Sequence, residues 1–282
     1  MKTILFATDY SQNSVAALKY AHKMSTQLGS RLMVTHVFDY PTVLGTKVEE
    51  PFPHLEEDAF KEHHTKLQEF CVTHLGVGLD EVNIQLEAIE HKSVINGIID
   101  KTKDSNASLL VVGMKGGSTL REFLMGNTTK QLINKAPCPV LSIPADTSFN
   151  KIGTIVYATD FEEEDIRIIK NLIEIAKPFN AEIKTVHVSS EKEYAGKQRK
   201  EWFVEKLKNE INYPRVNFEV LFSEDTFETL RIYLGDVGAD IVAMVERQQR
   251  SLLKNIFHHD LVKKMESYGK IPLITFHESN YQ

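Results

Sequence analysis

The residues best suited to chemistry are glycines set beside hydroxyl and amide side chains. Gly113-Met114-Lys115-Gly116-Gly117 follows an apolar run, and Gly126-Asn127-Thr128-Thr129 opens a helical pattern. Glycine lets a backbone turn with positive φ and lets a phosphate come close to amide N–H groups. A helix N-terminus adds free N–H groups and a partial positive charge, and Asn127, Thr128 and Thr129 add side-chain donors. The pattern predicts an anion cradle, although simple turn glycines and a plain Asn127 helix cap would leave the same residues. Lys115 can neutralise phosphate or stand as a solvated loop lysine. Asp9, just after the run Ile4-Leu5-Phe6-Ala7, can face a ligand or cap the next helix alongside Ser11.

Hydrolytic chemistry finds less support. Ser118 and Ser142 lack a G-x-S-x-G setting, and the sequence holds no G-x4-G-K-[ST] loop. The pairs His63-His64 and His258-His259 are adjacent, so on a helix their rings point to different faces and lack the i, i+4 spacing of a helical metal site. No catalytic residue and no metal ligand is assigned.

The elements that must position the cradle alternate. Strand-like runs at Thr3–Ala7, Arg31–Phe38, Asn83–Ile89, Leu109–Gly113 and Val140–Ile143 are separated by helical patterns at about 11–28, 55–74 and 93–104 and after Gly126. Strands separated by helices pair in parallel through right-handed crossovers, which predicts a doubly wound five-stranded sheet whose ligands sit beyond the strands' carboxyl ends. The order then repeats. Ile4–Tyr10 matches Ile155–Phe161, and His36-Val37 matches His187-Val188, at a spacing of 151 (160 − 9 for Asp9 and Asp160). Pro139-Val140-Leu141 matches Pro272-Leu273-Ile274 at 133 (272 − 139), so the second copy lacks 18 residues, mostly between Val37 and Val82. There the first copy carries a loop or lid over 41–53. The reading is two α/β domains in tandem, 1–147 and 148–282.

Applied to the glycine loop, the spacing of 133 sets Glu246, Gln249, His259 and Asp260 opposite Gly113, Gly116, Gly126 and Asn127. Side chains would fill the phosphate space and acids would repel it, so the second copy is expected to have lost triphosphate binding. Arg247 and Arg250 read as a surface loop of mixed charge, with a smaller anion as the alternative. His36 and His187, at matching strand positions, read as packing or hydrogen-bonding residues, and Trp202 as the apolar face of a helix packed on the sheet.

Composition bounds the rest. Across 282 residues, 42% hydrophobic and 26% charged content predicts a packed core, and a net charge of -6 argues against a nucleic-acid surface. Cys71 and Cys138 lie far apart and outside any CxxC pair, so both read as free thiols. No apolar run approaches the roughly 18 residues of a membrane span, and the apolar run after Met1-Lys2-Thr3 is too short for a signal peptide, which predicts a cytoplasmic protein without membrane contact.

Gly113-x2-Gly116-x9-Gly126-Asn127, together with Ala7-Thr8-Asp9, His36-Val37 and Ala136-Pro137-Cys138-Pro139-Val140-Leu141, resembles the universal stress protein family, in its ATP-binding branch. The resemblance covers both copies. It implies an adenine nucleotide alpha hydrolase-like fold, with the fifth strands paired across a pseudo-twofold axis into an intramolecular pseudo-dimer. It further implies ATP (or ADP or AMP) accompanied by Mg²⁺, with Ala7, Thr8, Asp9 and the Val37 backbone toward adenosine and Gly113, Met114, Lys115, Gly116, Gly126, Asn127, Thr128 and Thr129 around the phosphates. In that branch a serine or threonine usually follows the last glycine; Asn127 stands there instead. The function implied is a stress-response or signalling module with an unidentified protein partner and a possible homodimer of chains. Slow ATP hydrolysis or nucleotide transfer, and a nucleotide-free interaction protein, are the alternatives.

Overall fold

A computed structural model describes residues 3–39, 55–76, 83–114, 127–189, 195–208, 210–247, 261–262, 264–265 and 271–281. The 41–53 stretch, Lys115, Gly116, Gly126 and the 248–260 stretch lie outside them.

The first half runs β1 (Thr3–Ala7), α1 (Gln12–Leu28), β2 (Arg31–Phe38), α2 (Leu55–Leu75), β3 (Ile84–Glu90), α3 (Val94–Asp104), β4 (Leu109–Met114), α4 (Asn127–Lys135) and β5 (Val140–Pro144). The second runs β6 (Thr154–Ala158), α5 (Glu164–Ala176), β7 (Glu182–Ser189), α6 (Ala195–Lys208), β8 (Val216–Phe222), α7 (Thr226–Asp236), β9 (Ile241–Glu246) and β10 (Leu273–His277). Gly29 and Asn180 take left-handed φ of 60° and 52° and turn the chain back into β2 and β7.

The strands form one ten-stranded sheet in the order β3-β2-β1-β4-β5-β10-β9-β6-β7-β8. Every neighbouring pair is parallel except β5 and β10, which run antiparallel with Leu141 opposite Ile274. The expected pairing of fifth strands is therefore present, and it removes the two edges that would otherwise be left open. β1, β4, β5, β9 and β10 are buried runs, as helices on both faces require, whereas the edge strands β3 and β8 are half-buried. Along one face a single core passes through both halves, from Phe6, Leu18 and Leu67 to Leu172, Phe203 and Phe276. The opposite face carries two separate cores, one around Ile98, Leu110 and Leu132 and one around Leu230, Met244 and Val262. No helix among the described residues is long and apolar enough to cross a membrane.

Strand registers refine the repeat. β1 and β2 map onto β6 and β7 at 151 (182 − 31), β3 and β4 onto β8 and β9 at 132 (241 − 109), and β5 onto β10 at 133 (273 − 140). The second half is thus 19 residues shorter between its second and third strands and regains one residue after β9. Ile4 faces Leu109 just as Ile155 faces Ile241, which fixes the offset of 132 at the fourth strand. Gly113 consequently corresponds to Val245, not Glu246, and Lys115 corresponds to Arg247.

Trp202 departs from expectation. It is 48% exposed with the Lys206 ammonium 5.1 Å from its ring, while its neighbour Phe203 is fully buried. Successive helical residues point about 100° apart, so only one of two adjacent aromatics can face the sheet.

Candidate functional site

Strand order reverses direction between β1 and β4, which makes the crevice outside their carboxyl ends the place a ligand enters a doubly wound sheet. β1 stops at Ala7. The next rung is the Thr8 amide donating to the Thr35 carbonyl at 2.9 Å, and β2 then continues to Phe38 without a β1 partner. The Val37 side chain is buried against α3, where the space at Gly97 would bring an added Cβ to 2.9 Å from the Val37 methyl. What Val37 turns toward the crevice is backbone.

The turn after β1 is built by its own side chains. The Thr8 hydroxyl accepts from the Tyr10 amide at 3.0 Å and holds Tyr10 at φ 62°. The Asp9 carboxylate accepts from the Ser11 amide at 3.0 Å and from the Ser14 hydroxyl at 2.7 Å. Asp9 therefore serves the entry to α1. Burial pushes its carboxyl up, but the hydrogen bonds from Ser11 and Ser14 outweigh this and hold it below the usual range. His36 Nδ1 lies 2.9 Å from the Thr8 carbonyl, and burial lowers its pKa even though that carbonyl favours the proton. The equivalent His187 lies 2.8 Å from the Thr159 carbonyl, so the histidines share a hydrogen-bonding role.

Gly113 does not make a turn. It lies inside β4 opposite Ile143, and a Cβ there would fall 2.6 Å from the Asn13 carbonyl oxygen. Glycine is required because the first turn of α1 crosses directly over the strand. The same approach draws the Asp9–Ser14 turn and the end of β4 into one crevice. Met114, Ala7, Thr8 and Thr129 are buried, whereas Asp9, Asn127 and Thr128 are exposed. α4 begins at Asn127, and none of the described residues caps its first turn. By contrast, Ser93 Oγ accepts from the Asn96 amide on α3 and Asp225 Oδ1 accepts from the Glu228 amide on α7. Lys115, Gly116 and Gly126 lie outside the described residues.

Sequence reasoning missed Tyr10, whose ring packs 4.3 Å from His36 and 5.4 Å from Phe70, and missed Ser14 as the partner of Asp9. The signal was available in the repeat, because Phe161 matches Tyr10 and shares its positive φ, at 57°.

The second half keeps the frame and changes the charge. Asp160, Glu162 and Asp165 stand where the first half has Asp9, Ser11 and Ser14. They surround Arg247, whose side chain is only 8% exposed, so its guanidinium does not stand in a solvated surface loop. Burial works against the guanidinium's charge, but Asp165, Glu162 and Asp160 overcome it and hold the arginine more firmly protonated than in water. A small cleft of about 40 Å³ opens beside it, bounded by Asp160, His187, Val188, Thr226 and Met244. Among the described residues no group of three His, Cys, Asp or Glu side chains is arranged to hold a metal ion.

Residues 1–144 match the model of the universal stress protein family. A universal stress protein of Methanocaldococcus jannaschii is 25% identical over 52% of this chain and 97% of its own length. One from Thermus aquaticus is 28% identical over 50% of this chain and 98% of its own. The crystal structure of a universal stress protein from Archaeoglobus fulgidus superposes with a TM-score of 0.71 at 16% identity, covering 98% of both chains, a likeness of fold across both halves. With its family model spanning half the sequence and its tandem doubly wound architecture, the chain belongs to the universal stress protein family.

Proposed function

We propose that the first half, residues 1–147, binds an adenine nucleotide in the crevice outside β1 and β4, and that residues 148–282 form a half without a phosphate cradle. The observation that carries the reading is the N-terminus of α4 at Asn127, set at the carboxyl end of the sheet by its place between β4 and β5. A helix N-terminus offers amide N–H groups to an anion, and Asn127 and Thr128 are exposed there, at the end of the sheet where ligands enter. Gly113 supports it by letting α1 bring Asp9 to the same crevice, and the Val37 backbone offers hydrogen-bonding groups to a base.

Mg²⁺ fits this donor set as a companion of the phosphates. Among the described residues the crevice presents Asp9 and hydroxyls but no cluster of metal ligands, and magnesium is commonly held through substrate phosphates and one or two carboxylates. When bound it would neutralise phosphate charge; the chain's own residues bind and orient. Among the described residues of the crevice no nucleophile stands beside a base, and we read the half as a binder with at most slow hydrolysis. We read the chain as a cytoplasmic stress or signalling module whose ligand occupancy alters the surface shown to a protein partner or a second copy.

Mass spectrometry of the small molecule released when the purified protein is denatured tests the ligand, and an adenine nucleotide is the expected mass. Mg-ATP should raise the melting temperature, since a ligand specific to the folded state stabilises it, and Gly126→Val should abolish the shift. A protein that emerges empty and shows no shift is an interaction protein. Turnover well above the Gly126→Val control would make it an enzyme.

A further inference from the structure

In the first half the turn after β1 holds one carboxylate, Asp9, with Ser11 and Ser14 beside it. At the spacing of 151 the second half replaces both hydroxyls by acids, so its rim holds Asp160, Glu162 and Asp165. Glu278, just after β10, adds a fourth carboxylate, where the spacing of 133 puts Ala145 in the first half. Asp165 is fully buried and accepts at both oxygens, from Tyr157 Oη and Thr159 Oγ1 at 2.6 Å each and from the Glu162 amide at 2.9 Å. Such a rim repels phosphate. It calls for a cation with several N–H donors spread in a plane.

Arg247 is that cation. One Nη donates to Glu162 at 2.5 Å and the other to Asp165 at 3.0 Å, while Asp160 and Glu278 stand 3.8 Å from the guanidinium. We propose that the second half contains a guanidinium-binding site in the place of the first half's Asp9–Ser14 turn, and that Arg247 is its resident ligand, supplied by the chain itself. The ligand class is a planar guanidinium, because its fork holds two separate nitrogens a fixed distance apart, one for Glu162 and one for Asp165, where an ammonium presents a single point charge.

The site also fastens the C-terminal tail. Glu278 reaches Arg247, the Tyr281 carbonyl accepts from Arg167 at 2.9 Å, and Asn280 Nδ2 donates to the Ala136 carbonyl at the far end of α4, also at 2.9 Å. Arg247 thus holds one end of a strap whose other end meets the first half. None of this needs the first half to bind nucleotide, and the test uses none.

The test is thermal unfolding of the full chain with Arg247→Ala, alone and with low-millimolar ethylguanidinium or ethylammonium. Removing the cation leaves buried carboxylates uncompensated, so the variant should melt at least about 5 °C below the parent. Ethylguanidinium should restore part of that loss, ethylammonium much less, and neither should raise the parent. An Arg247→Ala protein that melts with the parent, or that recovers equally with both cations, overturns the proposal. Should that variant fail to fold, amide exchange in Glu278→Gln decides. Faster exchange at Asn280 and Tyr281 than in the parent is expected, and an unchanged tail overturns it.

Discussion

At Gly113 a single hydrogen atom sets how close helix α1 comes to the sheet. The glycine follows an apolar strand as a phosphate-loop glycine would, yet the demand on it is steric, since its Cβ position is taken by the Asn13 carbonyl. The second half shows the other solution: Val245 fills the equivalent place, and α5 lies less closely on β9 than α1 does on β4. Gly113→Ala should therefore destabilise the chain by about 1–3 kcal/mol through overpacking, measured as a lowered urea midpoint at unchanged slope. A neutral substitution would mean that α1 moves away without cost, and the crevice would not depend on its approach.

At the scale of elements, β1 and β2 were legible to the residue because apolar runs end sharply at Asp9 and at Asp39. Helix α6 was legible as an element but not in its rotation. Trp202 and Phe203 are adjacent, and sequence alone favours the larger ring for the core, whereas the structure buries Phe203 against Phe161 and Phe218. Phe203→Ala should cost about 3–5 kcal/mol, while Trp202→Ala should cost under about 1 kcal/mol, both read from denaturant unfolding. Equal losses would reverse the assignment of faces. The environment of Arg247 was illegible for a different reason: its partners lie far away in sequence, at 160–165, and the offset read from Pro139 and Pro272 is one residue out at the fourth strand. A hydrogen-bonded register, not similarity of residue types, locates that extra residue after β9. The start of α4 was legible, since Asn127 marks where the helix begins.

The whole molecule behaves as one body because its core crosses the seam. Leu141 and Ile274 pair at the centre of the antiparallel junction, and Phe149 packs 4.8 Å from Tyr20 in the first half and 6.1 Å from Phe179 in the second. Neither half can lose its sheet without exposing the other's fifth strand, so unfolding should be a single cooperative transition. The chain carries its own reporters. Trp202 is the only tryptophan and belongs to the second half, while Cys71 and Cys138 belong to the first, both buried, with burial pushing each thiol up to about 12. In the folded state neither thiol should react appreciably at pH 8, because thiolate is scarce and access is blocked. Thiol labelling and Trp202 fluorescence should then report one midpoint in urea, and Phe149→Ala should lower both together by a cost of about 3 kcal/mol. Labelling that runs ahead of the fluorescence change would show the first half opening alone, and the continuous core would then be two cores that merely touch.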